Sequence, residues 1–266
     1  MPELVLYHNA LSTCSQKVRL VLAEKGLAFE SRDVNLMTGE QHDPEYVKLN
    51  PNHVVPTLLH DDHVLIESSL IDEYVDEAFP ERPMRPKDPA ERHAMRMWVK
   101  RVDEKVHPAA GVVTYGVAGR AAAMLQPPEK REAMLASIPD PIARAARRSV
   151  MEHGVKAPEF AGALQQFLKL FDDGELALRS QPWLSGDVFG LADATVLPYV
   201  LRLDHLAMSP LLSERARPRL ADWYARVQAR PSYPEAVTKW IPEPVLGIMR
   251  QQGESVWADV EPLTRA

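Results

Sequence analysis

Four consecutive residues, Ser12-Thr13-Cys14-Ser15, place three hydroxyls and the chain's only thiol at the mouth of a helix. An apolar run ends at Tyr7, a short polar loop follows, and Val18, Val21 and Leu22 mark an amphipathic helix that stops at Gly26. A helix N-terminus carries roughly half a positive charge and free N–H groups. Such a place stabilises a thiolate, either Cys14 itself or one brought by a ligand. The same residues also suit plain capping. Thr13 with Gln16 has the form of a capping box, and Cys14 is small enough to pack beneath a sheet.

Other polar clusters are weaker chemical candidates. His60 and His63 flank Asp61-Asp62, which a tight hairpin turn explains better than a metal, because no thiolate set accompanies them. No metal is expected. Arg144, Arg147 and Arg148 are spaced as a solvated helix face, with recognition of an anionic substrate as the alternative. Tyr7, closing the first apolar run, is read as a packing residue.

These residues need elements to hold them. LVLYH (4–8) is a predicted strand, and a helix runs from about Ser15 to Lys25, with Gly26 as its left-handed stop. FESRDV (29–34) alternates as a strand, and residues 39–51 form a loop with a short helix halted by Pro51. VPTLLHDDHVLIE (55–67) reads as two strands about a turn, and Ser68 or Ser69 opens a helix with Leu70, Ile71, Tyr74 and Val75 on one face. The order is β-α-β-α-β-β-α. Prolines and charges at 81–88 read as a linker. Beyond it the pattern is helical: a long segment at 89–119, then 129–136, 140–152, 158–179, 191–207, 217–229 and 243–258. The prediction is an α/β domain over 1–80 and an all-α domain over 89–266.

Bulk properties narrow the field. The 266 residues are 45% hydrophobic and 26% charged, with a net charge of −6, which gives no basic footprint for nucleic acid. One cysteine cannot form an internal disulfide, so a reducing compartment is the natural reading. No signal peptide is evident, and no apolar run approaches the ~18 residues of a membrane span. The expected address is the cytoplasm.

In thioredoxin-like folds a C-x-x-C motif occupies the strand-to-helix turn. Here its two places fall on Ser12 and Ser15, with Cys14 between them, so a dithiol cycle within one chain is impossible. S-T-C-S-Q-K-V-R-L-V-L-A-E-K-G, then N-P-N-H-V-V-P-T-L, then I-E-S-S-L-I-D-E-Y-V, resembles the N-terminal domain of serine-type cytosolic glutathione transferases. The helical remainder is similar to that family's second domain. Its G-L-A-D-A-T (190–195) resembles the family's folding motif, with Gly190 where Ser or Thr usually caps the helix, so a weakened cap is expected.

The resemblance implies a thioredoxin-like first domain and roles for single residues. Ser12 matches the serine whose hydroxyl donates to the glutathione sulfur, with Cys14 and Ser15 as second and third candidates. Pro56 matches a cis-proline that turns Val55 toward the cysteinyl backbone of glutathione. Glu67 and Ser68 match the pair that holds the γ-glutamyl end, and His53 a position that meets the glycyl carboxylate, with Gln41 or His42 assisting. The electrophile is expected against Leu11, His107, Val113, Tyr115, Arg120 and Trp240.

The segment 124–158 and the tail after Trp240 look similar to bacterial glutathione-dependent β-aryl etherases, which implies displacement of an aryloxide by the thiolate. S-T-C-S also resembles dehalogenase-type members that resolve a glutathione adduct through a cysteine, here Cys14. A non-catalytic glutathione-binding protein is the third reading. The resemblance further implies glutathione as co-substrate and a homodimer.

Overall fold

Alternating burial along β1 (Leu4–His8) turns Leu4, Leu6 and His8 inward. The computed structural model describes residues 3–265. β2 (Glu30–Asp33) runs parallel to β1, while β3 (Thr57–His60) is antiparallel both to β1 and to β4 (His63–Leu65). The strand order is β2-β1-β3-β4. α1 (Thr13–Lys25) follows β1, α2 (Pro44–Leu49) precedes β3, and α3 (Ser68–Ala78) follows β4. This is the thioredoxin-like order expected from the sequence.

Register decides which loops meet. Tyr7 pairs with Thr57, Leu58 with Leu65, and His8 with Asp33. The loops leaving β1 and β2, the loop entering β3 and the loop leaving β4 therefore gather at one end of the sheet. That end collects residues 9–12, 34–42, 53–56 and 66–68.

α1 buries Val18, Leu20, Val21 and Leu22 and ends where Gly26, at φ 69°, returns its N–H to the Ala23 carbonyl at 3.0 Å. Beside that stop, Lys25 Nζ lies 2.7 Å from Asp76 Oδ1, and both side chains are 1% exposed. Lys25 also donates to the Arg82 carbonyl at 2.8 Å, and Asp76 accepts the Met84 N–H at 2.8 Å. Arg85 Nε also lies 3.3 Å from Asp76 Oδ2, so removing Lys25 leaves the buried carboxylate with one cation in place of two, and breaking such a buried pair costs up to about 3–5 kcal/mol. Lys25→Met is thus expected to lower the urea unfolding midpoint strongly. A midpoint within experimental error of wild type would overturn this account of the pair.

From Pro89 the described chain is helical. α4 (Pro89–Arg101), α5 (His107–Thr114) and α6 (Arg120–Met124) form one continuous run joined by π-type stretches at Val102–Val106 and Tyr115–Gly119. The run is the long periodic segment read from the sequence, widened locally by an extra residue per turn. α7 (Pro128–Ala136), α8 (Pro141–His153), α9 (Pro158–Ala177), α10 (Leu191–His205), α11 (Pro218–Gln228) and α12 (Glu243–Val260) follow. Proline stands in the first turn of α7, α8 and α9, where its missing N–H costs no bond.

The chain divides into two compact units. One joins residues up to 100 with 180–198 and 223–242; the other holds 101–179, 199–222 and 243 onward. The sheet's unit therefore draws in two stretches that lie beyond the linker in sequence. Asp193, fully buried, ties them together. Its Oδ1 accepts from Leu184 N and Trp223 Nε1, both at 2.8 Å, and its Oδ2 from Ser185 N and Gly190 N, both at 3.1 Å. Burial pushes this carboxyl's pKa up, and the donors pull it back.

Gly190 is needed for room. A Cβ there would lie 2.2 Å from the Met84 carbonyl oxygen. The weakened cap expected at this position is made good from elsewhere, because Ser185 Oγ accepts the Ala192 N–H at 3.0 Å. In the second unit, α9 supplies a buried aromatic row of Phe160, Phe167 and Phe171.

Candidate functional site

The loop from β1 into α1 is fixed by its own polar atoms. Asn9 donates through Nδ2 to the Val34 carbonyl at 3.1 Å, and its Oδ1 accepts the Leu11 N–H at 3.0 Å. Ser15 Oγ accepts the Asn9 N–H at 3.3 Å, and Ser15 is 0% exposed. Ser15 is therefore a sealed strut, which corrects its candidacy as a reacting residue. Ser12 is the N-cap of α1, with Oγ accepting the Ser15 N–H at 3.2 Å. Its hydroxyl hydrogen is committed to no acceptor among the described residues. Cys14, partly exposed, stands in the first turn of α1.

Beneath the loop lies a buried pair that the sequence did not announce. Arg19 donates to the carbonyls of Asn9 (3.0 Å), Ala10 (3.1 Å) and Ala236 (2.7 Å) and to His8 Nδ1 (3.0 Å). The other imidazole nitrogen of His8 then donates to Ser31 Oγ at 2.8 Å. Burial, and next the Arg19 charge, lower the His8 pKa from 6.5 to about 4, and burial lowers that of Arg19 to about 9. Trp240 packs edge-on against His8 at 4.6 Å between ring centres and stacks on Phe29 at 6.2 Å, with its N–H bonded to the Glu235 carbonyl at 2.7 Å. Trp240, named from the sequence for the electrophile wall, packs in this cluster and stays partly exposed.

His8 gives a stability signature. A folded pKa below the unfolded one means that the unfolded chain binds the proton more readily. The stabilisation is complete above about pH 6.5 and is lost as pH falls toward about 4, by roughly 3 kcal/mol. Urea unfolding of wild type and His8→Asn across pH 7.5 to 4.5 should give a shallower pH slope for the variant. Equal slopes would remove His8 from this role.

Around the cis Val55–Pro56 bond the loop is clamped by its neighbours. Tyr46 Oη donates to the Val54 carbonyl at 2.6 Å, and Asn50 Nδ2 donates to the same oxygen at 2.9 Å and to Thr57 Oγ1 at 3.0 Å. Tyr46, Val34 and Val55 share a small core with Tyr7, whose ring centre lies 5.7 Å from that of Tyr46. Val55 is thus presented next to a carbonyl that is already satisfied. The cis bond at Pro56 is the one the motif implied.

Two more groups meet at this end of the sheet. His53, at φ 57°, places its Nδ1 3.3 Å from that of His42, and Gln41 Nε2 lies 3.2 Å from His42 Nε2. Three candidates far apart in local role thus form one exposed chain of polar groups. Glu67, at φ 67°, accepts from Asn52 Nδ2 at 3.1 Å through Oε1, and Ser68 opens α3 beside it. A left-handed glutamate is strained by about 1–3 kcal/mol. Asn50, Asn52, Asn9 and Arg19 were missed by sequence reasoning. Asn50 and Asn52 lie inside the N-P-N-H motif, so their positions, though not their partners, were legible.

The candidates on the long helical run separate. Val113 is 0% exposed and belongs to the core, so it lines no site. Arg120 donates to the carbonyls of Met151 (2.9 Å) and Glu152 (3.1 Å), closing the end of α8. His107 is exposed, with Nδ1 3.1 Å from Tyr199 Oη. Tyr115 is half-buried beneath Arg147. Leu11 remains partly exposed in the loop before Ser12. His60 bonds Tyr74 Oη at 2.8 Å, and Asp61 turns the β3–β4 hairpin at φ 51°. Among the described residues no group of three His, Cys, Asp or Glu is placed to hold a metal, and no helix is long and apolar enough to cross a membrane.

The chain is similar to known proteins in both sequence and fold. Residues 6–83 match the family described as Glutathione S-transferase, N-terminal domain, and 144–226 match Glutathione S-transferase, C-terminal domain. The tetrachloro-p-hydroquinone reductive dehalogenase of Sphingobium chlorophenolicum is 30% identical over 245 residues, 89% of this chain and 96% of that one. Protein LigF of Sphingobium sp. SYK-6 is 30% identical over 261 residues, 95% of this chain and 99% of that one. The crystal structure of the β-etherase LigF superposes with a TM-score of 0.77 at 29% identity, covering 89% of this chain and 99% of LigF. The chain belongs to the glutathione S-transferase family and is an enzyme of that class.

Proposed function

We propose that this enzyme holds glutathione along the loop end of its sheet and uses the thiolate to displace a leaving group from an aromatic electrophile, with aryl ethers as the favoured substrates. The observation that carries the reading is the N-cap of α1. Ser12 Oγ spends a lone pair on the Ser15 N–H at 3.2 Å and keeps its proton for an incoming sulfur. That donor and the positive helix end both favour the anion over a thiol whose pKa in water is about 8.5. The thiolate forms a C–S bond, the C–O bond of the ether breaks, and an aryloxide leaves.

The rest of the tripeptide finds matching chemistry. The Val55 backbone suits the cysteinyl amide, Glu67 the ammonium, and Ser68 at the start of α3 the γ-glutamyl carboxylate. His53, His42 and Gln41 suit the glycyl carboxylate. Leu11, in the loop before Ser12, remains a candidate to meet the electrophile. The likeness to LigF supports the ether reading. The reading includes a homodimer in a reducing cytoplasm, the latter supported by the single cysteine.

One observation favours a second reading. Cys14 is partly exposed in the first turn of α1, and the reductive dehalogenase is among the relatives. In that reading its thiolate attacks the sulfur of a glutathionyl adduct. The carbon leaves with the electron pair and takes a proton, and a mixed disulfide remains for a second glutathione to release.

The test is calorimetric binding of glutathione together with turnover of an activated aryl halide and a β-aryl ether. Glu67→Gln should raise the KM for glutathione about 10–100-fold and change kcat little, as loss of a charged hydrogen bond worth about 1.5–3 kcal/mol requires. A KM equal to that of wild type would refute the placement of the ammonium at Glu67.

A further inference from the structure

Arg19 is 1% exposed in the second turn of α1, and its guanidinium is spent largely on backbone. It donates to the carbonyls of Asn9, Ala10 and Ala236 and to His8 Nδ1. The carbonyl of Asn9 sets it apart from a plain core strut. The same oxygen that accepts Arg19 Nη1 at 3.0 Å also accepts the Ser12 N–H at 3.3 Å. One shared acceptor therefore separates the guanidinium from the backbone of the residue that caps α1. Asn9 gives its own N–H to Ser15 Oγ at 3.3 Å, and Ser15 gives its N–H to Ser12 Oγ at 3.2 Å. The Ser12 hydroxyl is thus aimed by a circuit of bonds through Asn9 and Ser15, and Arg19 anchors that circuit.

The anchor is itself held from far along the chain. Ala236 lies in the short segment Pro234–Thr238, 217 residues beyond Arg19. Just past it, the Trp240 ring centre stands 5.3 Å from the guanidinium carbon, and its N–H is bonded to the Glu235 carbonyl at 2.7 Å. All of these residues belong to the compact unit that contains the sheet. A planar guanidinium presents five donors in fixed directions and can tie separate segments at once. An ammonium on a flexible stem keeps the charge but not those directions.

We propose that Arg19 is a positioning residue for Ser12, holding the turn 9–12 so that the Ser12 hydroxyl meets the glutathione sulfur, and that residues 234–240 share this role through Ala236 and Trp240. The proposal rests on the reading of Ser12 above and adds what aims its hydroxyl.

The test is Arg19→Lys, read by ultraviolet difference titration of the bound glutathione thiol and by the pH dependence of kcat with an activated aryl halide. The lysine keeps the positive charge, so a change reports geometry and not a lost field. The bound thiol's pKa should rise by about one unit and kcat at pH 6.5 should fall about tenfold, with the KM for glutathione changed by less than about twofold. A mere loss of folded enzyme lowers the rate equally at every pH and leaves the thiol pKa in place. In a Ser12→Ala background Arg19→Lys should add no further shift, because its effect passes through the missing hydroxyl. Trp240→Leu, at a partly exposed position, should move the thiol in the same direction by less, and it decides the matter if Arg19→Lys does not fold. An unmoved thiol pKa in the deciding variant overturns the proposal while the reading of Ser12 stands. A shift that persists in full without the Ser12 hydroxyl overturns it as well. A Ser12→Ala enzyme with an unmoved thiol removes both.

Discussion

Ser12→Ala is expected to lower kcat/KM for an aromatic electrophile about 100-fold at pH 6.5 while glutathione is still bound. The alanine removes one preorganised donor from a developing or resident anion, an effect of about 2.7–4 kcal/mol in comparable sites. At 1.36 kcal/mol per unit, this moves the bound thiol's pKa up by about 2 units. The deficit should therefore shrink as pH rises above the wild-type value, where the variant's thiol also ionises. Ultraviolet difference titration of the bound thiol reads the shift directly.

The substitution also removes the α1 cap, at about 0.5–2 kcal/mol, so rates belong well below the unfolding transition. Under the alternative reading, Cys14→Ala abolishes turnover and Ser12→Ala has the milder effect. A Ser12→Ala enzyme with unaltered rate and thiol titration would end the proposed role for this hydroxyl.

Asp193→Ala should be the most damaging change to stability in the sheet's unit. It orphans three backbone N–H groups and the indole N–H of Trp223, all buried. Each unsatisfied group costs about 1–3 kcal/mol, against a total stability of about 5–15 kcal/mol. The expected result is a loss of more than about 4 kcal/mol, or a fall in Tm of at least about 10 °C by circular dichroism. Asn, with one acceptor in place of two, should recover only part. A fall below about 3 °C would show that the carboxylate is not the tie between residues 184–193 and 223. Lys25→Met, by contrast, attacks the opposite end of α1 and leaves this hub intact.

The elements were legible because their signals are local. The apolar spacing of α1, its glycine stop, the aspartate turn between β3 and β4, and prolines opening later helices all act within a few residues. The motif around Pro56 likewise disclosed its cis bond. The electrophile candidates were less legible. Val113 and Tyr115 are two residues apart on one helical run, yet one is sealed in the core and the other half-exposed beneath an arginine. Helical periodicity names a face but not what covers it.

The sequence by itself determined the β-α-β-α-β-β-α order, the helical remainder and a hydroxyl at the start of α1, since backbone propensity and capping depend on near neighbours. Only the tertiary structure decided that Ser15 is sealed while Ser12 keeps its proton, and that Ser185 supplies the cap Gly190 lacks. Those outcomes turn on burial and hydrogen-bond partners contributed by distant segments. Whether a polar group is satisfied or free is a property of the packed assembly and not of the residue's place in the chain.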